Sequence, residues 1–241
     1  MESSTKAVCA ALQQASLRLA KLRESRAYDL MMRVPLLGWS MFWATVQMMG
    51  FGRHMHDTHR ALPLAVYVIK TAMTLSTILF LLLLAASVVL RERPMGKAHG
   101  LEPRISALVG AFLIYAIPLF PRHDLSMAAE MVSTVLILLG CSAAVAALLQ
   151  LGGSFSMMAE ARRLVTSGPY RYIRHPLYLA EEVAVLGLLT QFLSIWTTII
   201  FVLQIAFQLR RMHHEEAVLS KILPEYAAYK NKTARLIPGV Y

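Results

Sequence analysis

Residues 164–178 read Leu-Val-Thr-Ser-Gly-Pro-Tyr-Arg-Tyr-Ile-Arg-His-Pro-Leu-Tyr, and an apolar run, Leu177–Leu209, grows out of their end. That run closes on a second polar cluster, Arg210-Arg211-Met212-His213-His214-Glu215-Glu216. As one helix it would reach about 50 Å at 1.5 Å per residue, far beyond a hydrocarbon core of about 30 Å. It therefore breaks near Gln191–Ser194 into a tight helical hairpin, which returns both polar clusters to the same face of a bilayer. A membrane-embedded enzyme with its site at one membrane face is the reading that follows.

Composition points the same way. Of 241 residues, 57% are hydrophobic and only 16% charged, against about 25% charged in soluble domains. Mean hydropathy is +0.53. The chain is predicted to be an all-α, multi-pass transmembrane bundle. Outward from the hairpin, the remaining apolar runs are Val34–Gly52, Leu62–Leu90, Ile105–Phe120 with Pro118 and Pro121 at its end, and Ala129–Leu151. Six membrane segments result, the last two a hairpin. The expected divisions are an amphipathic N-terminal segment 1–33, a four-helix transmembrane region 34–151 and a catalytic region 152–241. Within 6–26, Ala7, Val8, Ala11, Leu12, Ala15, Leu19 and Leu22 recur near helical spacing among cations, as in an interfacial or simply solvated helix.

The net charge of +10 does not indicate nucleic acid, because Lys and Arg fall in short segments between apolar runs. With the N-terminus in the cytoplasm, segments 1–33, 91–104, 152–176 and 210–241 hold 20 Lys plus Arg, and the outer loops 53–61 and 121–128 hold 3. This agrees with the positive-inside rule, lets basic groups meet anionic lipid headgroups, and puts both polar clusters on the cytoplasmic face. Lys70 is the one cation within a span, and snorkelling to the outer interface or an ion pair inside the bundle both account for it. Cys9 and Cys141 offer neither a disulfide framework nor a paired metal site, and no cleavable leader precedes the first apolar run.

Gly168-Pro169 is a turn, and the residue before Pro176 is biased away from helical geometry, so a helix is predicted to begin at Pro176. The free N–H groups of its first turn favour a carboxylate. Tyr170, Tyr172 and Tyr178 add aromatic faces and hydroxyls; as an alternative, these tyrosines with Arg171 and Arg174 anchor the interface. Arg211 and Glu215 are four residues apart and share a helix face, with Glu216 flanking it. A solvated salt bridge and a functional pair both fit that spacing.

Taken in order, Leu-Val-Thr-Ser-Gly-x-Tyr at 164–170, Arg-His-Pro-x-Tyr at 174–178, Arg-x-x-x-Glu-Glu-x-x-Leu at 211–219, Glu-Tyr-x-x-Tyr at 225–229 and Arg-Leu-Ile-Pro at 235–238 resemble the isoprenylcysteine carboxyl methyltransferase family. Related phospholipid N-methyltransferases are similar. The resemblance covers about 160–241. It implies S-adenosyl-L-methionine as methyl donor, in contact with Arg162, Arg163, Leu164, Val165, Tyr170, His175, Pro176, Leu177 and Tyr178. It further implies Glu215 at the polar end of that donor and Arg211 as the group orienting the acceptor. The chain departs from the family at Leu179-Ala180-Glu181-Glu182, where a small residue is usual, and at His214, where many relatives are acidic.

A carboxylate acceptor, foremost that of an isoprenylcysteine-type substrate, needs no general base and could be gripped by Arg211. An amine acceptor must lose a proton, for which Glu215, Glu216 or His214 would serve. A phospholipid amine and a small thiol are the alternative acceptors, and the lipophilic part of the substrate is expected to enter from the bilayer among membrane lipids. A metal patch at His54, His56, Asp57 and His59 is set aside, because His175, His213 and His214 fall on the opposite face. A transporter would need internal repeats and broken, charged mid-membrane helices, which the sequence lacks; a structural membrane scaffold is the remaining non-enzyme reading.

Overall fold

The computed structural model describes residues 26–57 and 63–239. Residues 6–25 of the amphipathic segment and His59 lie outside them. Helix α1 is Arg26–Asp57, α2 Leu64–Leu90, α3 Glu102–Phe112 continued by a 3-10 turn at Leu113–Leu119, and α4 Met127–Leu151; α5 is Pro176–Gln191, α6 Ile195–Ile222 and α7 Tyr226–Lys232. Strands β1, Gly96–Lys97, and β2, Glu160–Ala161, pair antiparallel.

Among the described residues, three helical stretches are long and apolar enough to cross a membrane: Leu64–Leu90, Glu102–Leu119 and Met127–Ser154. Their outer surfaces carry exposed Leu79, Val132 and Leu139, which is the solvation of lipid rather than water. The other three expected segments fall short by that measure. Helix α5 has 16 residues, about 24 Å at 1.5 Å per residue. The apolar part of α6 stops at Leu209, before Arg210. Helix α1 contains Pro35 and is only weakly apolar.

Small residues decide how the helices pack. A Cβ added to Gly140 of α4 would lie 2.4 Å from the Ala184 backbone nitrogen of α5, and one on Gly187 of α5 would lie 2.7 Å from the Ser133 carbonyl of α4. Close backbone approach between small residues replaces the hydrophobic driving force that lipid removes. The Ser133 hydroxyl donates to the Gly187 carbonyl at 2.6 Å and accepts from Gln191 Nε2 at 2.7 Å, so no polar group at this contact is left unpaired in an apolar medium. Helix α4 also packs on α2, α2 on α1, and α3 on α6. Lys70 of α2 pairs with Glu130 of α4 at 2.8 Å, which is the ion-pair account of that cation rather than snorkelling alone.

Helix α5 ends at Gln191 and α6 begins at Ile195 behind a Ser194–Thr197 capping box, at the break read from the sequence. Glu182 meets Gln204 and Glu181 meets Gln208, so the two helices run antiparallel. His123 N–H donates to the Gln191 carbonyl at 3.0 Å, which puts the α3–α4 loop at the same end as the α5–α6 turn. The β pair, the 164–175 segment and the polar end of α6 gather at the other end.

Candidate functional site

The strand pair builds one wall. Met95 N–H donates to the Ala161 carbonyl at 2.8 Å and Ala98 N–H to that of Ala159 at 2.9 Å, which ties the segment after α4 to the one after α2. Nothing in the local sequence pattern announces so short a pair. Buried Arg162 locks it, donating Nε–H to the Glu92 carbonyl at 2.8 Å and Nη2–H to Glu160 at 2.6 Å.

The Gly168-Pro169 turn is there, with Gly168 at φ +57, a conformation side-chain-bearing residues rarely adopt. It swings Tyr170 inward. His175 is the N-cap and Pro176 the first residue of α5. The parallel bridge between Ile173 and Ala234 then brings the C-terminal segment alongside, with His175 N–H donating to the Arg235 carbonyl at 3.1 Å.

Between these elements and α6 opens a concave cavity of about 110 Å³. Arg162, Arg163, Leu164, Val165, Tyr170, His175, Leu177, Tyr178 and Glu215 all line it. Pro176 is buried at the helix start and is not part of the lining. The sequence reading missed Phe155, Ser156 and Met158, which sit in a loop without motif, and assigned no role to Tyr226 and Tyr229, which also line it.

At the α6 wall the Tyr178 hydroxyl donates to the Glu215 carboxylate. The Arg211 guanidinium lies over the Tyr178 ring at 4.7 Å and its Nε is 3.3 Å from Glu215. Arg211 is thus held behind Tyr178, buried, rather than lining the cavity. The His175 ring stacks on that of Tyr178, centroids 5.4 Å apart.

Glu216 faces away from this wall into a set of cations. It accepts from Arg174 Nε at 2.9 Å, lies 3.1 Å from His175 Nε2, and receives Arg235 at 2.8 and 3.0 Å. Burial pushes the Glu216 carboxyl up, but the bonds from His175, Arg235 and Arg174 outweigh it and hold the group far below the usual carboxylate range. Such an acid is a weak proton acceptor. His214 lies 3.2 Å from Glu102 at the surface.

Among the hydroxyls of the residues lining the cavity, Tyr170 Oη, Tyr226 Oη and Ser154 Oγ are buried with no protein partner. Burial pushes both phenols up, and Tyr229 up to about 12, so they stay protonated donors at neutral pH. Unpaired buried hydroxyls are costly unless a ligand or water completes them. Together with the Glu215 carboxylate they give the cavity both an anion and hydroxyl donors for a polar ligand.

Residues 132–221 match the family model of isoprenylcysteine carboxyl methyltransferase (ICMT), the family that the motifs between 164 and 238 resemble. The match runs from the first third of α4 to the end of α6. The chain is 36% identical over 76 residues to a cobalt-zinc-cadmium resistance protein, CzcN, of Cupriavidus metallidurans, a stretch that is 31% of this chain and 35% of that protein. It is 35% identical over 82 residues to a nickel-cobalt-cadmium resistance protein, NccN, of Alcaligenes xylosoxydans xylosoxydans, covering 33% of this chain and 38% of the relative. The chain thus matches little more than a third of the length of either relative.

Proposed function

We propose that this protein is an integral membrane methyltransferase that uses S-adenosyl-L-methionine to methylate the head of a membrane-borne amphiphile. One observation carries the reading: a single cavity, at the polar end of an apolar helical bundle, gathers the 162–178 segment and Glu215 beside three unpaired hydroxyls. The ICMT match over 132–221 supports the reaction class. Helix α1 and the α5–α6 hairpin complete six membrane segments in this reading, and the charge split places the cavity on the cytoplasmic side.

The donor would supply an electrophilic methyl group on a sulfonium. The chain's own residues bind, orient and exclude water. Glu215 would meet the ammonium of the amino-acid end, with Tyr178 and Arg211 fixing its carboxylate. Tyr170, Tyr226 and Ser154 would hold polar groups of the opposite end. His175 and Leu177 close the floor between them, so that solvent is kept from the reacting centre. For the carboxylate of an isoprenylcysteine-type acceptor, Arg211 is the cation at hand. For an amine acceptor, the carboxylates one turn deeper in α5 are. The alkyl part would enter between helices from the bilayer.

The test is calorimetry of the purified protein with S-adenosyl-L-methionine, followed by labelled-methyl transfer to total membrane lipids. Micromolar affinity, about −8 kcal/mol, is expected. A folded protein that shows no binding at millimolar ligand overturns the reading.

A further inference from the structure

Two carboxylates of α5 do not belong to the cavity wall. Glu181 and Glu182 lie one to two turns into α5, away from the polar end. Gln208 Nε2 donates to Glu181 at 3.2 Å, and Gln204 Nε2 donates to Glu182 at 2.8 Å and to the Gly110 carbonyl at 3.2 Å. Both glutamines are buried, at 3% and 2% exposure. Each amide thus gives one N–H to a carboxylate, and Gln204 gives its second to the Gly110 carbonyl. That leaves Gln204 Oε1, Gln208 Oε1 and Glu182 Oε2 buried with no partner.

We infer that Glu181, Glu182, Gln204 and Gln208 form the binding site for the ammonium head of an amphiphilic amine. This rests on the methyltransferase reading for its purpose, since such an amine would be the acceptor. The three orphan atoms are all acceptors, so the missing complement is a group that only donates. An ammonium does so and brings the positive charge that two carboxylates lack. A carboxylate acceptor would add acceptors to acceptors and like charge to like charge, at a cost that burial enlarges. Arg211 and Glu215 are the other charged groups within electrostatic reach of Glu181. Arg211 is already engaged by Glu215 and by Tyr178, so this set of four carries one cation to three carboxylates.

The surroundings suit a cation too. Tyr115 lies within electrostatic reach of Glu181. Its ring meets Trp39 at 4.7 Å and stacks with Trp43 at 5.9 Å. Aromatic faces beside carboxylates recognise ammonium and methylated ammonium groups. Gly110 lets α3 approach α6 closely here, because a Cβ there would stand 3.2 Å from Gln208 Oε1 and 3.3 Å from the Gln208 backbone nitrogen.

The experiment measures binding of four probes of equal chain length to the full protein in maltoside micelles at pH 7: dodecylamine, dodecyltrimethylammonium, dodecanoate and dodecanol. Calorimetry is the readout, with tryptophan fluorescence as a second signal from Trp39 and Trp43. The two ammonium probes should bind at least tenfold tighter than dodecanol, and dodecanoate no tighter than dodecanol. In Glu181→Gln/Glu182→Gln, eluting as wild type on gel filtration, the tenfold preference should vanish. Equal binding of dodecylamine and dodecanol to the wild-type protein overturns the inference, with no variant needed. So does a folded double variant that keeps the preference. Amine preference without any binding of S-adenosyl-L-methionine would instead uphold this site and sink the methyltransferase reading.

Discussion

Arg235, six residues from the C-terminus, grips the Glu216 carboxylate of α6 with both Nε, at 3.0 Å, and Nη2, at 2.8 Å. This two-point pair is buried to 3% on the Glu216 side, and Arg174 from the 164–175 segment joins it. One carboxylate of α6 thereby holds the 164–175 segment and the C-terminal segment to that helix.

Removing that carboxylate should be expensive. Glu216→Ala removes the buried carboxylate that Arg174 and Arg235 share, a loss of about 3–5 kcal/mol. Thermal unfolding in detergent should show a large fall in Tm. Arg235→Lys should also lower it, since an ammonium cannot reproduce the fork. A wild-type Tm for Glu216→Ala would remove Glu216 from its central place.

The same pair sets an acid limit. Folding holds the Glu216 carboxyl below its ordinary 4.5. A lowered folded-state pKa means stability that is fully present above about pH 4.5 and is lost as pH falls further. Tm measured from pH 7 down to 3.5 should drop at the acid end, and Glu216→Gln should flatten that drop. An equally steep drop in Glu216→Gln would assign the acid sensitivity to other groups.

Arg211 and Glu215 should not behave as independent residues. Glu215→Ala should weaken binding of S-adenosyl-L-methionine by about 2–5 kcal/mol. Because Arg211 stacks on the tyrosine that donates to Glu215, Arg211→Ala should disturb the same binding as well as turnover. A double-mutant cycle read by calorimetry should give a coupling of about 0.5–3 kcal/mol. Strict additivity would separate the two.

The α4–α5 contact should tolerate no added methyl. Gly187→Ala places a Cβ 2.7 Å from the Ser133 carbonyl, so the helices must move apart, at about 1–3 kcal/mol. Gly38→Ala, where nothing lies within 4 Å, is the control and should leave Tm unchanged. Equal Tm values for the two variants would contradict the close packing.

Orientation is checked by cysteines placed at exposed positions in sealed cells. A cysteine in 121–126 should react with an impermeant thiol reagent from outside, and one in 225–232 should not. External labelling of 225–232 would invert the topology and place the cavity on the outer face.

By itself the sequence determined the solvent, the punctuation and the chemistry on offer. Apolar runs of spanning length leave few alternatives to helices in lipid. Pro176, the Gly168-Pro169 turn and the 191–194 break are local signals, legible because they act on a residue's own backbone. Many of the cavity-lining residues were legible through motif order, since 164–178 and Glu215 carry it in short strings. What the tertiary structure decided is which of those groups meet. The β pair at 96–97 and 160–161 has too few residues to leave a pattern. Arg211 and Glu215 show their shared face in sequence, but the Tyr178 ring between helices does not. Glu216 looked like a spare base beside Glu215; a rotation of 100° per residue turned it instead toward Arg174 and Arg235. Glu181 and Glu182 looked like a departure from pattern, and only the approach of α6 supplied the glutamines that give them a partner and leave three acceptors unfilled. Spacing along a chain shows which residues share an element's face, whereas what that face meets depends on where Gly140 and Gly187 let the helices close.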